Sequence, residues 1–261
     1  MSGIHSSSAA PGPLPQVGVG RPRRLGLAAP FRWLRLGWND LWRAPCPSLA
    51  AGGLFVAVGW VLAYLSLNDG NYLLLFSLVT GFVLIAPVLA FVFYAGSRAL
   101  QRGERPTIRG AWRSAADNLG SELVFAVILG VVLLVWMRAA AMIHVFYPSV
   151  GNPDLADLLG FAAVMTTVGA LFAILVFGIS AFSLPMMLDT GADVVTSVIT
   201  SLRAVAANKA TMAVWAALVV TAVGIGFVTA MIGLAVTLPL IGHATWHAYR
   251  ETIEHVPVAT D

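Results

Sequence analysis

Five stretches of this chain run for about twenty residues or more with almost no charged side chain: Ser48–Leu67, Tyr72–Tyr94, Leu123–Phe146, Leu158–Leu184 and Met212–Tyr249. A hydrocarbon core about 30 Å thick is crossed by roughly 20 apolar helical residues, so each stretch is long enough to span a bilayer. Composition agrees. Hydrophobic residues make up 59% of the chain and charged residues 10%, with a mean hydropathy of +0.85, whereas soluble domains carry about 25% charge. The runs show little of the period-two alternation that barrel strands need, which leaves α-helices.

A unit is written three times along these runs. Its closing segments read GFVLIAP from Gly81 to Pro87, GISAFSLP from Gly178 to Pro185, and GLAVTLP from Gly233 to Pro239. Arg98 follows Pro87 by the interval at which Arg250 follows Pro239, and the second unit has no Arg at the matching distance. RSAADN at Arg113–Asn118 also parallels RAVAAN at Arg203–Asn208. The repeat bears on the last run, which is too long for one ordinary crossing and has no polar break. Read as a third hairpin it turns between Gly224 and Gly233, where glycine tolerates a reversal; the alternatives are one long tilted helix, or a crossing with a re-entrant piece. The expected fold is an all-α polytopic membrane protein with six transmembrane helices. They form three parallel hairpin repeats at about 31–106, 107–190 and 191–251, between a disordered tail at 1–30 and a second tail at 252–261.

Each unit opens with a segment suited to the membrane surface. Winding Phe31–Trp42 as a helix gathers Leu34, Trp38, Leu41 and Trp42 on one side among arginines, the mixture of interfacial helices. Ala192–Asn208 repeats the idea, and Ile108–Asn118 is its shortest and most polar version. The arginines orient the whole. Six precede the first run, from Arg21 to Arg43, and Arg98, Arg102, Arg105, Arg109 and Arg113 separate the second from the third. With six crossings all of these fall on one side, together with Arg203, Lys209 and Arg250, and the positive-inside rule makes that side the cytoplasm. The opposite loops, Asn68–Asn71 and Tyr147–Asp157, hold acids but no Lys or Arg. The net charge of +3 is thus a matter of membrane orientation, and nucleic acid is not an expected partner. The expected location is the bacterial inner membrane, multi-pass, with both termini cytoplasmic and the lipid bilayer as first partner.

Few residues offer chemistry. Pro87, Pro185 and Pro239 each remove a backbone donor and free the carbonyl four residues back, and they read first as helix kinks. Arg138 is the one basic residue within or beyond the membrane on the far side, with His144 six positions later. An intramembrane charge is a functional hypothesis, set here against snorkelling to the far interface or pairing with Asp154 or Asp157. His243 and His247, four apart on one helical face, are the metal candidates, set against a plain aromatic and basic belt. Glu122 is placed at a helix start, where the dipole favours an acid. Cys46 is the single cysteine, so no internal disulfide or CxxC metal site exists. No GxSxG, HExxH, P-loop or dinucleotide fingerprint is present, so the expectation is a protein without catalytic residues and without a cofactor.

At LGWNDLWRAPCPSLAAGG, IAPVLAFVFYAGSRALQRGERP, SLRAVAANKATMAVWAAL and LPLIGHATWHAYRE the chain resembles a bacterial family of predicted integral membrane proteins of unknown function. Some of its members carry the label cytochrome c oxidase subunit I. The resemblance covers roughly Phe31 to Glu251 and implies a multi-spanning inner-membrane protein accessory to a respiratory oxidase. A catalytic subunit of that kind holds two haems and a copper through histidines in its helices. Here the histidines number five, with His5 and His255 in the tails. The leading expectation is therefore an accessory or assembly component packed against other membrane-protein subunits. The other is a small transporter or channel with its path along the pseudo-threefold axis.

Overall fold

A computed structural model describes residues 21–69, 90–145 and 154–254, without the side chains of 66–69, 112 and 115. Pro87 and most of the second apolar run lie outside these residues, as does most of the loop before Asp154. What is described is helical apart from one short pairing. A two-residue strand β1 (Arg21–Pro22) pairs antiparallel with β2 (Ile253–Glu254). Between them come α1 (Ala29–Arg43), α2 (Pro45–Asp69), α3 (90–101), α4 (Ile108–His144) and α5 (Leu155–Ser180). The order closes with α6 (Ser183–Thr190), α7 (Val194–Ala207), α8 (Lys209–Val228) and α9 (Leu234–Thr252).

Short polar residues set the helix starts. Thr107, Asp154 and Asp193 cap α4, α5 and α7 by accepting from the backbone N–H groups of Gly110, Asp157 and Thr196, supplying partners that a first turn otherwise lacks. Gly191, left-handed at φ 67°, ends α6. Among the described residues four helices are long and apolar enough to cross a membrane: Pro45–Leu65, Ala116–His144, the α5–α6 stretch Leu155–Thr190, and Lys209–Val228. The 37 residues of α4 reach about 55 Å at 1.5 Å per residue, beyond one hydrocarbon thickness. The segment at Ile108–Asn118 is therefore no separate surface helix but the opening turns of this long one.

The last run does divide, with its break at Thr229–Gly233 inside the expected window. Glycine is not what makes the turn. Ala230 and Met231 take the left-handed conformation, at φ 52° and 69°, while the Thr229 hydroxyl accepts from the Gly233 N–H and the Trp60 indole donates to the Ala230 carbonyl. Nor do the two helices behave alike, since α9 is not among the four long apolar helices and packs on α1, α2 and α8.

The buried core lies at the ends of the crossing helices that carry the basic segments. Trp33, Phe91, Phe125, Phe182, Trp215, Trp246 and Tyr249 are fully enclosed there, with Trp33 edge-on to Trp215 at 5.6 Å. The long helices are mostly uncovered along their spans. In α1 the buried face is Trp33, Gly37, Asp40 and Leu41, whereas Trp38 and Trp42 are exposed. The stripe read from the sequence is thus split between two faces. α7 likewise buries Ser197, Thr200, Ser201 and Ala204 and exposes Val195, Ile199 and Leu202. Large apolar side chains left exposed on both helices suit a lipid surface.

The prolines differ in setting. Pro239 lies within α9, and Gly52 of α2 meets the Ala235 carbonyl that this proline leaves without its donor. Pro185 lies at a helix start, within the α5–α6 stretch. It is the third residue of α6, where a missing N–H is harmless, and the helix breaks just before it at Ala181–Phe182. That break is closed from α7: the Ser201 hydroxyl donates to the Gly178 carbonyl at 2.7 Å and accepts from the Phe182 N–H at 3.1 Å.

Candidate functional site

The largest concentration of buried polar chemistry sits where α1, α2, α3 and α9 meet. Backbone proximity makes the meeting possible. A side chain at Gly37 would lie 2.6 Å from the Ala244 backbone nitrogen, so only glycine lets α1 approach α9 this closely. Asp40 follows Gly37 by three residues and thus faces α9 as well. Its carboxylate accepts from the His247 Nε2–H at 2.7 Å and from the Ser97 hydroxyl at 2.7 Å. Ser97 also contacts Nδ1 of His243 at 2.8 Å, and Nε2 of the same ring meets the Ser48 hydroxyl at 2.8 Å. Ser48 donates in turn to the Ala44 carbonyl at 2.7 Å.

These groups form one row: Ala44 carbonyl, Ser48, His243, Ser97, Asp40, His247. It contains five contacts, and each needs a proton between its two heavy atoms. With Asp40 ionised and both imidazoles neutral, the two hydroxyls and two rings supply one proton apiece, one fewer than the contacts. The row therefore has room for one more proton, held as an imidazolium at His243 or as a carboxyl at Asp40. At Asp40 burial raises the pKa, but the hydrogen bonds from His247 and Ser97 outweigh it and leave the group below its ordinary value.

Both candidate histidines are thus drawn into hydrogen bonds with an acid or hydroxyls. His243 spends its two ring nitrogens on serines, and the pair does not offer two free nitrogens to one ion. Among the described residues no group of three or more His, Cys, Asp or Glu side chains is placed to hold a metal. The His243 ring is enclosed, and Phe93 packs edge-on against it at 5.8 Å.

A second charged knot lies nearby. Asp189 of α6 accepts from Arg250 Nη1 at 2.6 Å and from the Tyr249 hydroxyl at 3.1 Å, and Arg98 Nε is 3.8 Å away.

The remaining candidates stand apart from both clusters. Arg138 is exposed on α4 with no ion pair among the described residues. Asp154 caps α5 instead of meeting it. His144 packs its ring against Phe161 at 6.3 Å. Glu122 is wholly buried, and neither of its carboxyl oxygens has a hydrogen-bond partner. It lies fourteen residues into α4, so the helix dipole does not account for it.

Residues 74–189 match the family model of DUF2189, described as a predicted integral membrane protein. This stretch is thus similar to a family of predicted integral membrane proteins whose function is unknown. The match takes in the basic segment after α3, and of the buried row it includes only Ser97. No curated protein and no solved structure matches the chain.

Asp40, Ser48 and Ser97 were missed by the sequence reading. Asp40 had the look of one polar residue on an amphipathic surface helix. It meets His247 across 207 positions of chain, and no local spacing encodes that meeting.

Proposed function

We propose that this integral membrane protein works without a reaction of its own, as an accessory or assembly component of a larger membrane complex in the bacterial inner membrane. In this reading six crossings form three parallel hairpins, with both termini in the cytoplasm. The complex named by the sequence resemblance is a respiratory oxidase.

The observation that carries the reading is the α4–α5 hairpin. Leu123, Val127, Val131 and Leu134 on α4 and Leu159, Leu171 and Ile174 on α5 are all exposed, and beyond each other the two helices pack chiefly on α6 and α7 at their base. Between them an apolar cleft of about 370 Å³, lined by Leu129, Val132, Trp136, Gly169 and Phe172 among others, offers a seat for a side chain from a further helix. Asp40, His243 and His247 are meanwhile engaged in internal bonds. Photo-crosslinkers at Leu134 and Leu171, at native expression in native membranes, test the reading. A discrete adduct with another membrane protein is expected, respiratory subunits among the identified partners supports the oxidase assignment, and lipid adducts alone at both positions sink the accessory role.

A small transporter or channel is the second reading. The observation in its favour is a polar cavity that reaches Ser48 at one end of the row. Solute uptake by the reconstituted protein, lost on Ser48→Phe, separates it from the first.

A further inference from the structure

The cavity that reaches Ser48 is bounded by the basic segment between α3 and α4, whose charge the accessory reading does not use. Its volume is about 200 Å³, several times the roughly 30 Å³ that a water takes in the liquid. Val92, Ala95, Ala111 and Pro47 contribute an apolar lining, and Arg98, Arg102 and Arg105 contribute the charge, with Glu104 as the one acid. A neighbouring cavity shares Thr107 and Gly110 and adds Arg109 and Arg113. The surrounding backbone is fixed. Gly103, left-handed at φ 75°, closes α3, its N–H and that of Glu104 donating to Leu100 and Ala99, and Thr107 caps α4.

Charge in this place is out of balance. Arg98 reaches Asp189, yet Asp189 is shared with Arg250 and Tyr249. Arg102, Arg105, Arg109 and Arg113 have no ion pair among the described residues. Arg98 Nε is buried and makes no hydrogen bond, and burial, followed by the like charge of Arg102, weighs against the cationic form of Arg98. The first turns of α2 and α4 also open on the cavity, through Pro47, Ser48 and Gly110, adding the positive ends of two helix dipoles. Convergent guanidinium groups around an unfilled polar space, with a buried donor left over, call for an anion with several acceptor oxygens.

We infer that this cavity binds a phosphate-bearing group, with arginines on the phosphate oxygens and the apolar lining against the carbon substituents. An anionic phospholipid headgroup and a soluble phosphate compound share this chemistry. The apolar lining and the position at the foot of the crossing helices match the former, as polybasic segments beside membrane helices do.

The experiment uses the full-length protein purified in mild detergent and exchanged into nanodiscs of phosphatidylcholine with or without phosphatidylglycerol. Native mass spectrometry reads retained lipid, and thermal-shift titration reads inorganic phosphate. The double variant Arg102→Gln/Arg105→Gln is compared with wild type, with Ser114→Phe as a cavity-filling variant that keeps every charge and Arg35→Gln as a distant charge control. Loss of phosphatidylglycerol retention by about tenfold or more in the double variant is expected, with retention also lost in Ser114→Phe and kept in Arg35→Gln. Phosphate binding lost in the same two variants, without lipid retention in any, assigns the site to a soluble ligand. Equal lipid retention and equal phosphate response in wild type, the double variant and Ser114→Phe overturns the proposal, and if the double variant does not fold, Ser114→Phe alone decides in the same way.

Discussion

At Asp40 a carboxylate that water would solvate freely is held by a histidine and a serine, with 4% of the residue's surface left exposed. Removing one member of a buried, hydrogen-bonded pair strands the others, at a cost of about 3 kcal/mol. Asp40→Asn is expected to lower the unfolding temperature of the detergent-solubilised protein at neutral pH. The pH dependence follows from the sign of the shift. Because the folded pKa lies below the ordinary value, the stabilisation is present above the unfolded pKa of about 3.9 and fades as pH falls through the folded one. Wild type and Asp40→Asn should therefore differ most near neutrality and converge in acid. A constant gap across the acid range would assign Asp40 a purely steric role. None of this was legible locally. The sequence singles out His243 and His247 by their spacing, but the acid and the two serines that complete the row come from α1, α2 and α3.

Two elements carry their own tests. The α1–α9 contact depends on Gly37, where a methyl group would meet the Ala244 backbone at 2.6 Å. Backbone cannot swing away as a flexible side chain can, so Gly37→Ala is expected to cost about 1 to 3 kcal/mol, read as a lowered unfolding temperature. At the α8–α9 turn the effect runs the other way. Ala230 holds a left-handed conformation at φ 52° that costs an L-residue roughly 1 kcal/mol or more, so Ala230→Gly should raise the unfolding temperature slightly, and a fall would show that the turn is not under strain. Long apolar runs made the crossing helices legible, and the repeat made the last break legible to within a few residues. The face that α1 buries was not, because burial there follows close backbone approach and a polar row rather than hydrophobicity. α4 ran on through Ile108–Asn118 because nothing in that stretch stops a helix. Its polar composition reflects a position outside the apolar span, not a separate element.

Over the whole molecule, charges that the repeat placed separately come together. Arg98 and Arg250 occupy matching positions after the prolines of the first and third units, and both turn to Asp189, four residues after the proline of the second. The missing arginine of the middle unit is thus answered by an acid that serves the other two. Asp189→Ala should cost about 1 to 2 kcal/mol, since the arginines stay partly solvated. Adding Arg250→Gln to Asp189→Ala should cost little more, and full additivity of the two in a double-mutant cycle would count against a shared clasp. The same knot, with the Asp40 row, has a consequence in time. Asp40 is made 207 positions before His247, an interval of roughly 10 to 40 s at ribosomal speeds of about 5 to 20 residues per second. Through that interval α1 has no α9 on which to bury Gly37 and Asp40. A helix made early is thus finished late, and α1 is open to membrane quality control until α9 arrives.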